Sequence, residues 1–532
     1  MDKRVDGISR KPRLLITGWA LGLLLFWVGM GAQAWARPTT PSQARGVVKT
    51  WLSLDPRPLG VALGDQVAEV LAFPGDAAEP HYFVVYLDPG GFVVVPGDDL
   101  VEPIIAFIPR GRYDPSLDTP LGALVSQDLA GRVAAAREME RLAREELLAP
   151  ESAYDKARRK WQLLAQPADA AKSLTEAAGL ADISDIRVAP FVLSKWGQGS
   201  EGTYCYNYYT PNHYVCGCVA TFMAQLMRYH LHPTAGVGTP TFNIYVDGAL
   251  VSNVPLRGGN GSGGAYQWGN MVLDPDASTT DAQRQAIGAL TYDAGVSVNM
   301  SYRSDGSAAT FSAAMNSLRN TFGYSNAMRG YNSGTTIPLD KLYPMINPNM
   351  DARLPVAFDI RRPGGGHGVL ADGYGYNLGT MYHHINLGWS GSKDAWYNLP
   401  DISIPEWGYN YNTILRCGYN IYPSGAGEII SGRVTNTGGK PVNGAAVLAT
   451  RSGGGSYAAT TDSRGIYALA KVLSASSYTI VVSKKHYTFS PRSVSTGTSQ
   501  DDTLTMGNVW GVDFIGTGGP KGPIAPLLLL MN

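Results

Sequence analysis

Cys216-Gly217-Cys218-Val219-Ala220-Thr221-Phe222-Met223-Ala224-Gln225 is the stretch on which the reading of this chain turns. Val219, Phe222, Met223, Leu226 and Met227 recur at spacings of three and four, the stripe of a helix with one buried face. Gly217 permits a tight turn before that helix, so Cys218 falls in its first turn. Unpaired N–H groups and the helix dipole favour a thiolate there. A base is on offer far downstream, in Gly364-Gly365-Gly366-His367-Gly368-Val369-Leu370-Ala371-Asp372-Gly373. The strand-like Leu354–Ile360 precedes it, and the apolar run Val369–Ala371 follows. A cysteine and a histidine remote in sequence and joined by folding suit acyl transfer to a thiol. A third segment, Tyr382-His383-His384-Ile385-Asn386-Leu387-Gly388-Trp389-Ser390-Gly391, supplies Asn386 to accept from the His367 ring N–H and Trp389 to shield that bond. His383 and His384 are neighbours, point to opposite faces of a strand, and read as structural.

Each motif also has a plainer reading. Cys218 alone could be an inert buried thiol or half of a disulfide. The three glycines alone could be a hairpin turn. Cys216 and Cys218 with His230 and His232 could suggest zinc, but Cys-x-Cys is not the usual spacing and the histidines lie at the far end of the helix.

The 532 residues call for three or four folded units. Lys plus Arg and Asp plus Glu are both 43, which gives no support to a nucleic acid or an anionic membrane as the main partner. Residues 1–36 read as a signal peptide: Lys3, Arg4, Arg10, Lys11 and Arg13 precede the apolar Leu14–Met30, and Ala34-Trp35-Ala36 forms a small-x-small cleavage box. A membrane anchor is the competing reading of that apolar run; the cleavage box directly after it favours export and a secreted product. Export permits disulfides among Cys205, Cys216, Cys218 and Cys417. With Cys218 reactive, Cys205–Cys216 is the first pairing expected and Cys205–Cys417 the second.

Ala44–Leu54 has a helical pattern, Glu69–Phe73, His81–Leu87, Phe92–Val95 and Pro103–Ile108 read as strands, and Ala123–Leu148 reads as a long helix. Residues 37–148 are therefore expected to form one α+β unit. Residues 149–189 carry few large apolar side chains and read as an exposed, poorly packed processing linker. Both motifs lie in 190–423. Four short strands at regular spacing then mark a small β-sandwich over 424–517, and the Leu-rich tail 518–532 is too short to span a bilayer.

The core resembles the streptopain family of papain-fold cysteine peptidases. The resemblance rests on Gly217–Thr221 with Ala224-Gln225, on Met227-Arg228-Tyr229-His230, on Gly365-Gly366-His367, on Asn386 and on Trp389. Trp196-Gly197-Gln198-Gly199, Tyr266-Gln267-Trp268 and Asp293–Met300 are similar to further family blocks. Leu387 departs from the pattern, where tryptophan is usual. The match covers about Phe191 to Tyr422. Residues before Ala149 are more weakly similar to the family's inhibitory pro-domain, chiefly through Gly91–Asp98, and Gly427–Gly516 to carboxypeptidase-regulatory-type sandwiches.

The resemblance implies an α+β chain: a papain-like core with Cys on its helical part and His on an antiparallel sheet, preceded by a pro-domain and followed by the sandwich. It implies a secreted cysteine endopeptidase made as a zymogen, with Cys218 as nucleophile, His367 as base, Asn386 as its orienting group, Gln198 in the oxyanion hole and Trp389 in support. Its partners would be protein or peptide substrates and its own pro-domain, with no metal or organic cofactor. The competing functions are a catalytically silent peptidase-like binding or adhesin module and a thiol transpeptidase.

Overall fold

The computed structural model describes residues 38–75, 79–144, 152–177, 183–400 and 413–519. The signal peptide and most of the tail lie outside the described residues. Ten strands run side by side in the order Gln66–Phe73, Tyr82–Asp88, Phe92–Pro96, Ala106–Ile108, Ala395–Tyr397, Thr380–Asn386, Gly365–Asn377, Val356–Arg362, Ile414–Tyr422 and Asn326–Tyr331. An eleventh, Ser184–Val188, pairs with the far half of Gly365–Asn377. The sheet thus continues from the N-terminal unit into the unit that carries the motifs. The seam is Ala106–Phe107 against Trp396–Tyr397, followed by the Asn398 N–H on the Ile105 carbonyl at 2.8 Å.

Strand alternation decides what each face of this sheet meets. Ala357 and Leu370 point to the Cys218 helix, where they pack with Phe222 and Met223. Val356, Phe358, Ile360, Val369 and Ala371 point the other way, onto the N-terminal unit's long helix Pro120–Arg144 through Leu121, Leu124 and Val125. Successive side chains must alternate in this way, so a shift of one residue would exchange the two sets.

Helix Cys218–His230 begins at Cys218 itself, with Gly217 at φ +89° as the preceding residue. A Cβ at Gly217 would stand 2.8 Å from the Ser307 carbonyl oxygen, so only glycine fits there.

Residues 149–189 differ from the expected linker. Ser152–Leu164 and Ala168–Ala177 are helices and Ser184–Val188 is a strand. Trp161 is buried and donates from Nε1 to the Val101 carbonyl at 2.8 Å, and Leu164 is fully buried. A few large side chains at helical spacing are enough to dock these short helices. Residues 145–151 and 178–182 of that span lie outside the described residues.

The C-terminal unit is two four-stranded sheets closed over Ile430, Val447, Tyr467, Ile480 and Phe514. It is pinned to the rest of the chain. Asp351 takes hydrogen bonds from Tyr374 and Ser431, Arg433 meets Asp185 at 2.7 Å, and Asp501 and Asp502 meet Arg329 on the sheet's last strand. All four cysteines are free thiols. Neither expected disulfide is present; Cys417 lies in the opposite core from Cys205, with Met345 Sδ 3.7 Å from its sulfur.

Candidate active site

Four elements meet at Cys218. The first is its own helix. The second is the segment Phe191–Gln198, whose end is fixed when the Cys216 N–H donates to the Gln198 carbonyl at 2.8 Å. The third is the strand carrying His367, and the fourth is the loop after Asn386.

The structure brings the His367 strand to Cys218 but not the His367 ring. The Gly368 N–H points at the Cys218 sulfur, N to Sγ 3.5 Å. The strand lies close because residue 368 is glycine: a Cβ there would fall 2.5 Å from the Phe222 ring. Gly368 pairs with Asp359 and faces the Cys218 helix, whereas His367 pairs with Ile360 and faces the other side. On that side His367 Nε2 lies 3.0 Å from the carbonyl oxygen of Leu117, a residue of the N-terminal unit. The Leu117 loop is held nearby by Asp118 with Arg362 at 3.3 Å, and by Gln127, which donates to the Arg361 carbonyl.

Asn386 does not orient His367 here, contrary to the sequence-based expectation. It pairs with Leu370, so it projects on the Cys218-helix face while His367 projects on the opposite one. Its carboxamide is fully engaged. Oδ1 accepts from Gln225 Nε2 at 3.0 Å and from the Gly388 N–H at 3.1 Å, and Nδ2 donates to the Ser194 carbonyl at 2.9 Å. Gln225 also accepts from Ser194 Oγ and the Trp196 N–H, tying the helix to the segment that leads to Gln198. Trp389 is half-buried on the following loop, with Lys393 Nζ 5.3 Å from its ring centroid.

The electrostatics follow from this arrangement. Burial pushes the Cys218 thiol above its ordinary range, the Gly368 N–H opposes that, and the nearby Asp359 carboxylate adds to it. Burial also holds His367 below the usual histidine range, against the Leu117 carbonyl. Burial thus works against both the helix-mouth thiolate expected at Cys218 and the charged form of His367.

The sequence reading missed three of these groups. The Leu117 carbonyl and the Gly368 amide are backbone atoms and leave no side-chain signal. Gln225 did leave one, a long polar side chain buried between Ala224 and Leu226 on an apolar helix.

Residues 196–397 match the Peptidase C10 family. The chain carries a streptopain-like cysteine peptidase domain. Residues 36–127 match the Spi protease inhibitor family and 429–507 the carboxypeptidase regulatory-like domain. Streptopain of Streptococcus pyogenes serotype M1 is 25% identical over 339 residues, which are 61% of this chain and 75% of that protein. Thiol protease/hemagglutinin PrtT of Porphyromonas gingivalis is 25% identical over 396 residues, 72% of this chain and 40% of that protein. Among solved structures, a fragment of Prevotella intermedia prointerpain A aligns over 66% of this chain and 98% of its own, with 20% identity and a TM-score of 0.44. The inhibitor match spans the Leu117 loop, so the segment resting on His367 is inhibitor-like and belongs to the same chain as the peptidase.

Proposed function

We propose that the chain is an exported cysteine endopeptidase in its latent form, with residues 37–148 as the inhibitory unit. The observation that carries this reading is the Leu117 carbonyl on His367 Nε2, on the face of the sheet away from Cys218. While that contact holds, the base cannot reach the nucleophile. Export rests on the basic, apolar and cleavage-box order of residues 1–36; no helix among the described residues is long and apolar enough to cross a membrane.

Removing the inhibitory unit frees His367 to turn to the Cys218 side. There it takes the thiol proton, and the sulfur attacks the scissile carbonyl carbon. The Cys218 N–H and the Gln198 carboxamide receive the oxyanion; loss of one such donor typically costs ~10²–10³ in rate. His367 then protonates the leaving amine, and water, deprotonated by the same ring, releases the acyl group from sulfur. Asn386 frames the site through Gln225 and Ser194, and Trp389 covers it.

The cut that frees the enzyme falls within residues 149–189, between the inhibitory unit and the peptidase unit, near Ala170 to Pro190. The enzyme makes this cut itself, so it depends on Cys218. N-terminal sequencing of the active form tests this: a new terminus within 149–189 is expected, and an active species beginning near Arg37 would overturn the zymogen reading. Persistence of the Cys218→Ala chain at full zymogen length, purified free of other proteases, supports self-cleavage, and its processing would refute it.

A further inference from the structure

Asp372 is fully buried and each of its oxygens is engaged. Oδ2 accepts from the Phe191 N–H at 2.8 Å and the Val192 N–H at 2.6 Å, while Oδ1 meets His384 Nδ1 at 2.6 Å. From Val192 the chain runs through Ser194 and Trp196 to Gln198. His384 keeps only 15% of its side chain exposed and has the edge of Trp396 against its ring at 5.6 Å. A second carboxylate, Asp394, acts on the same imidazole from the loop after Asn386, and accepts from the Leu387 N–H at 3.0 Å. That loop carries Trp389. Lys195 is the remaining charge that acts on Asp394, and its own ammonium pairs with Asp274 at 2.6 Å.

One ring therefore pairs directly with Asp372 and is acted on by Asp394, and each carboxylate anchors a different wall of the site. Protonated, His384 balances them. Neutral, it leaves a buried Asp372 without its counter-charge and two like charges near each other, a costly arrangement in a low-dielectric interior. Both carboxylates hold His384 above the ordinary histidine range despite its burial. Its neighbour His383 is the opposite case: fully buried, 2.8 Å from the Asn347 side-chain oxygen, and held down at about 3.

We propose that His384 is a positioning residue whose imidazolium, paired with Asp372 and acted on by Asp394, locks the Gln198 segment and the Trp389 loop in place around Cys218. It touches no reacting atom. The inference rests on the peptidase reading above for its effect on turnover, but not for its effect on charge. Because the folded-state pKa of His384 is raised, the support is complete at acidic pH and is lost as pH rises through that value.

Histidine side-chain NMR on the full-length Cys218→Ala chain, with His384→Gln for assignment, tests the charge without needing activity. His384 should stay protonated above the ordinary histidine value of about 6.5 while His383 stays neutral. A His384 that titrates at or below that value overturns the proposal. Turnover is then measured on the processed enzyme with a fluorogenic peptide. His384→Gln should lower kcat about tenfold or more with KM within about threefold, as expected when oxyanion geometry loosens. Asp394→Asn, the milder change, should move the alkaline limb of kcat to lower pH, because it removes one carboxylate that favours the imidazolium. A wild-type kcat in His384→Gln, or an unshifted limb in Asp394→Asn, overturns the proposal; if His384→Gln does not fold, the Asp394→Asn limb decides. An inactive parent enzyme would instead count against the peptidase reading and leave the NMR result standing.

Discussion

Cys216 and Cys218 are two residues apart; burial raises both thiols, but they differ in exposure and in the groups that face the sulfur. Cys216 is fully buried, lies 3.3 Å from Thr221 Oγ1, and is pushed up to about 12 by desolvation. Cys218 is only partly buried, at the mouth of the helix beside the Gly368 N–H. Cys218→Ala should abolish peptide hydrolysis, whereas Cys216→Ser should keep activity within about threefold; an essential Cys216 would refute the assignment. His367 gives a pH prediction. Its folded-state value is depressed, so it favours the latent arrangement above the ordinary value of about 6.5, and that support is lost as pH falls below it. His81 in the inhibitor-like unit is depressed by burial as well and acts in the same direction. Self-processing, followed by gel electrophoresis, should therefore quicken from pH 7 to pH 5, and a rate that falls over that range would contradict the burial of the His367 ring. At this scale the position of Cys218 was legible, because three-and-four spacing fixes a helix start. The face occupied by His367 was not, because it depends on which residue of the facing strand it pairs with.

At the level of elements, two contacts hold the arrangement together. The helix Pro120–Arg144 docks through a buried network. Arg132 pairs with Asp128 at 2.7 Å and donates to the Asn398 side chain and carbonyl, while Tyr397 donates to Asp128 at 2.6 Å. Arg132→Ala leaves Asp128, which is 0% exposed, without its counter-charge, a loss on the order of 3–5 kcal/mol for a buried pair. A lower thermal midpoint of the intact chain, with faster thiol alkylation, is the expected outcome; an unchanged midpoint would show that the network does not dock the helix. The second contact is the close approach of the His367 strand to the Cys218 helix. Gly368→Ala places a methyl group 2.5 Å from the Phe222 ring, and overpacking of this kind costs about 1–3 kcal/mol. Chemical denaturation of the Cys218→Ala background measures it. The elements themselves were largely legible: continuous apolar runs beside turn residues marked Tyr82–Asp88 and Phe92–Pro96, and a stretch rich in Ala, Glu, Arg and Leu marked the long helix. The span 149–189 was not, because Trp161 and Leu164 dock the polar helix Ser152–Leu164, and only the small Ala171 and Thr175 are buried on Ala168–Ala177.

In the whole molecule, three units that look separate in sequence share one framework. Composition marks their borders but says nothing of the seam at Ala106–Phe107, since strand pairing across it uses backbone groups alone. The same holds for the C-terminal sandwich. It covers the sheet's last strand, with the Asp502 N–H on the Arg329 carbonyl at 2.9 Å and the Tyr331 N–H on the Thr503 carbonyl at 3.1 Å. A chain ending at Pro423 would expose that edge and strip Asp351 of Ser431 and Arg329 of both its carboxylates. It should melt lower and aggregate more readily than the full chain; equal stability would mark the sandwich as a passive appendage. The central claim is that one chain holds both the nucleophile and the contact that silences it. An iodoacetamide-type probe, applied to the intact chain and to the chain after removal of its N-terminal unit, with the modified residue mapped by mass spectrometry, tests that claim most directly. The account predicts that Cys218 is the residue modified, and that it reacts at least about tenfold faster once the N-terminal unit is gone, as a thiol does when a freed histidine supports its thiolate. Equal rates in the two forms, or modification of another cysteine, would contradict it.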